Sequence, residues 1–124
     1  MNTILAVDKG ATIYELDAAS CRLHGIETLR VDSMTKAIKL IAPGDDFLFI
    51  VINEDTVPGF MLKLRKMRSI TNAPIFVITS SYTVEKEMQA NNYGADVYSH
   101  FAAYAKINIV GALASFTAQN RLAK

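Results

Sequence analysis

The chain has 124 residues, 51% of them hydrophobic and 20% charged, with thirteen Lys and Arg against twelve Asp and Glu. That length is one domain's worth of polypeptide with enough apolar material for a core that folds without staples, so residues 1–124 read as a single domain. A net charge of +1 lacks the basic excess on which a dedicated nucleic-acid or membrane-surface binder depends. The single cysteine, Cys21, excludes an internal disulfide framework and a thiolate-rich zinc site. The opening run Met1–Val7 meets Asp8 too early for a signal peptide, and no stretch approaches the ~20 apolar residues of a membrane span. The expectation is a cytoplasmic protein.

Short β-rich runs alternate with longer stretches. A strand is expected at Thr3–Val7, then a helix over Thr12–His24, where Ile13, Leu16 and Leu23 recur at helical spacing and Gly25 is placed to end it. A second strand at Thr28–Val31 leads to a helix over Ser33–Ala42. The run Phe47–Ile52 is continuously apolar, as a central parallel strand buried on both faces should be. The third helix, Pro58–Ser69, sets Leu62, Leu64 and Met67 as a dry face against a solvated basic one carrying Lys63, Arg65, Lys66 and Arg68. A strand at Pro74–Thr79 and a helix over Thr83–Tyr93 follow. The last pair is a strand at Ala95–Ser99 and an apolar helix over Ala103–Leu122 that is packed or awaits a partner. Ala42-Pro43-Gly44 and Asn72-Ala73-Pro74 punctuate helix-to-strand turns. Five strand–helix repeats specify an α/β fold, a doubly wound (βα)5 parallel sheet with helices on both faces.

Ligands of such sheets bind beyond the carboxyl ends of the strands. Those ends carry Asp8-Lys9 after the first strand, Asn53-Glu54-Asp55 after the third and Thr79-Ser80-Ser81 after the fourth, while the fifth carries Tyr98 and runs into His100-Phe101. Carboxylates, a lysine and hydroxyls would thus share one small surface pocket.

In order and spacing, four segments resemble the receiver domains of two-component response regulators, the CheY-like fold. They are Ile4–Asp8, the acidic end of strand three with Pro58-Gly59 after it, Ala73–Ser80, and Gly94–Tyr98. The resemblance implies an acidic pair after strand one and an aspartate after strand three that hold Mg²⁺, the latter aspartate accepting a phosphoryl group from a histidine kinase. It further implies a hydroxyl after strand four and a lysine after strand five that contact the phosphate. Asp8, Thr79 and Tyr98 match the first acid, the switch hydroxyl and the switch aromatic.

Three of five places depart from that pattern. Lys9 stands where the second acid belongs, and an ammonium group cannot ligate Mg²⁺. Counting back from Pro58, the phosphoacceptor position falls on Glu54, one methylene longer than aspartate and similar to a permanently extended anionic acceptor. Phe101 occupies the position of the lysine. The expected reading is an atypical receiver, or pseudo-receiver, in which Lys9 faces Asp8, Glu54 and Asp55, no metal or cofactor is needed, and a Lys–carboxylate cluster holds the switch. Its partner would be a second copy, through the face of the fourth helix, fifth strand and fifth helix, or another signalling protein. Such domains often precede a DNA-binding output domain, so the chain would stand alone or form the N-terminal part of a transcriptional regulator.

One alternative is a conventional receiver phosphorylated on Asp55 or at Glu54, with Mg²⁺ held by Asp8 and Glu54. Another, from a different class, is a flavodoxin-like cofactor binder, against which stands the single glycine of Asp8–Thr12 where a phosphate loop would need several. His24, His100 and Cys21 are scattered in sequence and read as structural residues. Asp8 and Glu54 as solvated loop carboxylates, Thr79 as a plain strand-end threonine and Tyr98 as an edge-strand aromatic are the bland readings of the same positions.

Overall fold

The computed structural model describes residues 3–10, 22, 25–41 and 47–100. In chain order these form β1 (Thr3–Val7), β2 (Glu27–Val31), α1 (Met34–Ile41), β3 (Phe49–Asn53), α2 (Phe60–Ile70), β4 (Ile75–Thr79), α3 (Val84–Asn92) and β5 (Val97–His100). The five strands make one sheet in the order β2-β1-β3-β4-β5, parallel at every pairing. The expected strand–helix alternation and parallel sheet are present. The expected helices over Thr12–His24 and Ala103–Leu122 fall outside the described residues, apart from Arg22. Gly25, at φ 70°, donates its N–H to the Arg22 carbonyl at 3.2 Å, the geometry of a glycine closing a helix.

β1, β3 and β4 are central, and alternation within them divides the core. Leu5, Val7, Ile50, Ile52, Ile75 and Val77 project to one face, where Met34, Ala37 and Ile41 of α1, Phe60, Leu64 and Met67 of α2 and Ala90 of α3 pack against the same cluster. Ile4, Ala6, Phe49, Val51 and Ile78 project to the other face and are 1% exposed each. Phe49 and Phe76 meet there edge to face at 5.9 Å. Both faces are therefore covered, which is why these strands read as unbroken apolar runs. β2 is an edge strand and leaves Leu29 42% exposed.

Several expected boundaries shift for local reasons. β3 begins at Phe49: buried Phe47 precedes the ladder, and the Leu48 N–H reaches the Thr3 carbonyl at 2.8 Å. α2 begins at Phe60, since Gly59 takes φ 76°, a left-handed conformation that ends the preceding turn. Residues 95 and 96 lie in the connection between α3 and β5 rather than in β5, because Ala95 N–H bonds the Ala90 carbonyl at 3.0 Å and the Asp96 carboxylate accepts from Ile75 N–H at 2.8 Å.

Two features of α2 also differ from expectation. Its buried stripe is Phe60, Leu64 and Met67, at i, i+4 and i+7, so Leu62 lies on the opposite side and is 87% exposed. Arg68 is not part of the solvated face. Its guanidinium donates to the carbonyls of Gly94 (3.1 Å), Thr71 (3.0 Å) and Ala73 (2.5 Å) and to Asp96 Oδ2 (2.9 Å). One side chain thereby ties the end of α2 to the starts of β4 and β5, using the planar fork of donors that only arginine has.

Gly94 is bound to this arrangement. Its φ is 118°, and a Cβ there would lie 2.6 Å from Arg68 Cβ. Gly94→Ala is expected to cost about 2 kcal/mol or more through backbone strain and overpacking. Urea denaturation will show this as a lower midpoint with an unchanged slope.

Candidate functional site

Strand order reverses direction between β1 and β3, and a crevice opens at their carboxyl ends. Asp8 immediately follows β1 and is 1% exposed. Its Oδ1 accepts from Thr56 Oγ1 at 2.8 Å, from Gly10 N–H at 2.9 Å and from Asn53 Nδ2 at 3.3 Å. Arg30 Nη1 donates to its backbone carbonyl at 2.8 Å. Three donors thus converge on one oxygen of the buried carboxylate, which needs such partners once it is out of water.

Glu54 follows β3 one strand away, its N–H bonded to the Ile78 carbonyl at 2.9 Å, so it enters the crevice beside β4. Its two oxygens are engaged separately. Oε2 accepts from Thr79 Oγ1 at 2.5 Å and lies 3.7 Å from Lys86 Nζ; Oε1 accepts from Tyr98 OH at 3.0 Å. Thr79 is fully buried and Tyr98 only 3% exposed. The Thr79 hydroxyl also accepts from Ser81 N–H at 2.9 Å, which leaves its single proton for Glu54. Tyr98 lies inward, with the Tyr82 ring 5.8 Å from its own.

The sequence-derived candidates therefore divide. Glu54, Thr79 and Tyr98 converge on one carboxylate, and Asp8 forms a second, adjacent polar centre joined to β3 through Asn53 and Thr56. Asp55 is exposed, its Oδ1 accepting from Ser80 N–H at 3.2 Å. Phe101 lies outside the described residues, as do His24 and Cys21. His100 ends β5 and is exposed.

Lys9 departs from its expected place. Its side chain is exposed and forms no ion pair among the described residues, so the Lys9–carboxylate cluster is absent. The reason is local. Successive residues leaving β1 alternate in direction; Asp8 turns inward, and the Lys9 N–H is held by Thr56 Oγ1 at 3.0 Å. The cation that reaches Glu54 is instead Lys86, on the first turn of α3, which also donates to the Ser81 carbonyl at 3.4 Å.

Sequence reasoning missed Lys86, Thr56 and Asn53. The latter two stand within three residues of Glu54, and their hydroxyl and amide types were the available signal. Nothing local marks Lys86, because its relation to Glu54 exists only across β3, β4 and the loop after β4.

Mg²⁺ demands near-octahedral oxygen ligands and is usually held through one or two carboxylates. Here one Asp8 oxygen already accepts three hydrogen bonds, both Glu54 oxygens are occupied by protein donors, and the position after Asp8 is an ammonium. No group of three His, Cys, Asp or Glu side chains among the described residues is arranged to hold a metal ion. The side chains as placed do not fit the ion.

No protein-family profile and no curated protein matches the chain. Solved structures do. The chain is similar to a CheY-like response regulator receiver domain protein from Methanospirillum hungatei JF-1, with TM-score 0.83, 15% identity, and 100% of this chain and 99% of that one covered. It is similar to a two-component response regulator from Clostridium difficile (TM-score 0.75, 21% identity, 93% and 97% covered). A third is the beryllofluoride-activated NtrC4 receiver domain dimer (TM-score 0.71, 20% identity, 82% and 84% covered). The chain has the CheY-like receiver fold.

Burial, with the neighbouring Glu54 carboxylate second, pushes the Tyr98 phenol up to about 12 from its ordinary value of 10. A proton held more tightly in the folded state than in the unfolded one stabilises the fold below pH 10, and that contribution is lost as pH rises from 10 towards 12. The difference in unfolding free energy between wild type and Tyr98→Phe is expected to stay constant up to about pH 10 and to shrink above it. Denaturant titrations at a series of pH values check this.

Proposed function

We propose that this chain is an atypical receiver domain, a single signalling module over residues 1–124, whose switch is held engaged by Glu54 rather than by a phosphoryl group. The observation that carries the reading is the convergence of Thr79 Oγ1 and Tyr98 OH on the two oxygens of one carboxylate. In a phosphorylated receiver, as the family pattern has it, the hydroxyl and the aromatic turn towards the modified acceptor. A glutamate at that position presents an anion further from the backbone than aspartate would, and here both groups are already turned to it.

On this reading the chain transfers no phosphoryl group, requires no Mg²⁺ or other cofactor, and catalyses nothing. It acts in the cytoplasm through protein–protein contact. Among the described residues no helix is long and apolar enough to cross a membrane. The output surface on this reading is built from α3 and β5, and a second copy is the natural partner. Support comes from the exposed side chains of α3 and the segment before it: Val84 and Met88 are each 61% exposed and Tyr82 is 38% exposed, beside the inward Tyr98. A role as the N-terminal part of a transcriptional regulator is consistent with such a module, whose output would then be set by dimerisation.

The reading is tested by incubating the chain with acetyl phosphate and Mg²⁺ and recording intact mass. No adduct is expected; a stable gain of about 80 Da on Glu54 or Asp55 would establish a conventional receiver instead. A second check uses Glu54→Ala, which leaves the Thr79 and Tyr98 hydroxyls without their shared acceptor. It is expected to cost roughly 1–3 kcal/mol in denaturant unfolding and to shift the NMR signals of Thr79, Tyr82 and Tyr98 in native buffer. Unchanged tyrosine signals would sink the switch role.

A further inference from the structure

The most exposed large apolar side chains among the described residues stand on two helices. Leu62 on α2 is 87% exposed, and Val84 and Met88 on α3 are each 61% exposed. The two helices cover the same face of the sheet, where Leu64, Met67 and Ala90 enter one core cluster. They also meet at one end: the Arg65 guanidinium lies 4.4 Å from the centre of the Tyr93 ring, and Arg68 Nη1 donates to the Gly94 carbonyl at 3.1 Å. We propose that α2 and α3 together form a self-complementary docking surface for a second copy of this chain, with the outward side of α2 in each copy lying on the outward side of α3 in the other. The inference rests on the pairing with a second copy proposed above and names the element that α3 meets there.

Helical phase defines the two outward sides. Leu62, Lys66 and Ser69, at i, i+4 and i+7, lie opposite the buried Phe60, Leu64 and Met67. Glu85, Met88 and Asn92, at i, i+3 and i+7, lie opposite the buried Ala90. Both stripes are exposed along their length.

Charge selects the occupant. α2 carries four basic residues and no acidic one. Arg68 is engaged by the starts of β4 and β5, Arg65 lies on Tyr93, and Lys63 donates to Thr35 on α1, so Lys66 is the cation that α2 turns outward, one turn from Leu62. On α3 the sign is reversed. Lys86 reaches Glu54, Glu87 is half-buried, and Glu85 stands exposed beside Met88. Neither Lys66 nor Glu85 forms an ion pair among the described residues. Each helix therefore presents an apolar side chain next to one charge, positive on α2 and negative on α3. A uniformly acidic or basic partner would match one helix and be repelled by the other, whereas a copy of this surface matches both.

The topology permits the closure. Both helices return from parallel strands of one sheet, so they run in the same direction. A two-fold axis lying between them and along them sets α2 over α3 at two equivalent places, the isologous contact of a closed dimer. Burial of Leu62, Val84 and Met88 supplies the attraction, and the opposite charges fix which helix lies on which.

The test is sedimentation velocity of the full chain over a range of concentrations, at low and high sodium chloride. A concentration-dependent dimer that weakens with salt is expected. Lys66→Glu and Glu85→Lys should each weaken it roughly tenfold or more, since each places like charges together twice in a two-fold interface. An equimolar mixture of the two variants should restore the dimer, because every α2–α3 contact then joins opposite signs again. Leu62→Ser should dissociate it with the urea midpoint of the monomer unchanged. A wild-type chain that stays monomeric at every concentration, or a mixture that stays dissociated, would overturn the assignment. Loss of the dimer in Glu85→Lys and Met88→Ser but not in Lys66→Glu and Leu62→Ser would overturn it too, while leaving a second copy paired through α3 and β5. The Glu54 switch is read separately, by intact mass and the tyrosine signals.

Discussion

A single carboxylate side chain organises the carboxyl edge of this sheet. Glu54 leaves β3 between two neighbours and takes a hydroxyl from β4 on one oxygen and a phenol from β5 on the other. Hydrogen bonds to a charged acceptor are stronger than neutral ones, and in a half-buried setting they are expensive to leave unmade. Thr79 and Tyr98 have few alternatives, since both are almost wholly removed from water. The phenol of Tyr98, whose ring centroid lies 5.8 Å from that of Tyr82, is bonded to that anion.

The second carboxylate behaves differently. Asp8 is deeper, and a hydroxyl, an amide and a backbone N–H donate to its Oδ1. Asn53 and Thr56 bridge it to β3 and so keep the two strands in register at the point where the sheet changes direction. The two acids therefore sit on neighbouring strands at one end of the sheet, each with its own set of donors. Lys9, next in the chain, is exposed and is held there through its N–H by Thr56.

Most of the fold was legible in the sequence, because burying a strand on both faces leaves a mark that survives without context. Phe49–Asn53 and Ile75–Thr79 are nearly uninterrupted apolar runs, and punctuation by Gly25 and Pro74 separated them from the helices. Boundaries were less readable where side chains rather than backbone patterns decide them: Asp96 diverts the start of β5 by bonding Ile75, and nothing in the segment Ala95–Ser99 announces that. Glu54, Thr79 and Tyr98 were identifiable as candidates from strand-end position and residue type. The cation facing Glu54 was not, since charge in the linear chain favours the adjacent Lys9, whereas the direction of each side chain leaving a strand decides which lysine arrives. Leu62 and Arg68 show the same limit on α2, where apolar and charged residue types were read one way and helical phase placed them the other.

Arg68 fastens the beginnings of β4 and β5 to the end of α2, at the edge of the sheet opposite Glu54. The two strands are thus anchored at their feet by a rigid planar group and gripped at their tips by a flexible one. The corner that carries α3, whose Val84 and Met88 are each 61% exposed, is thereby fastened at both ends of its two supporting strands.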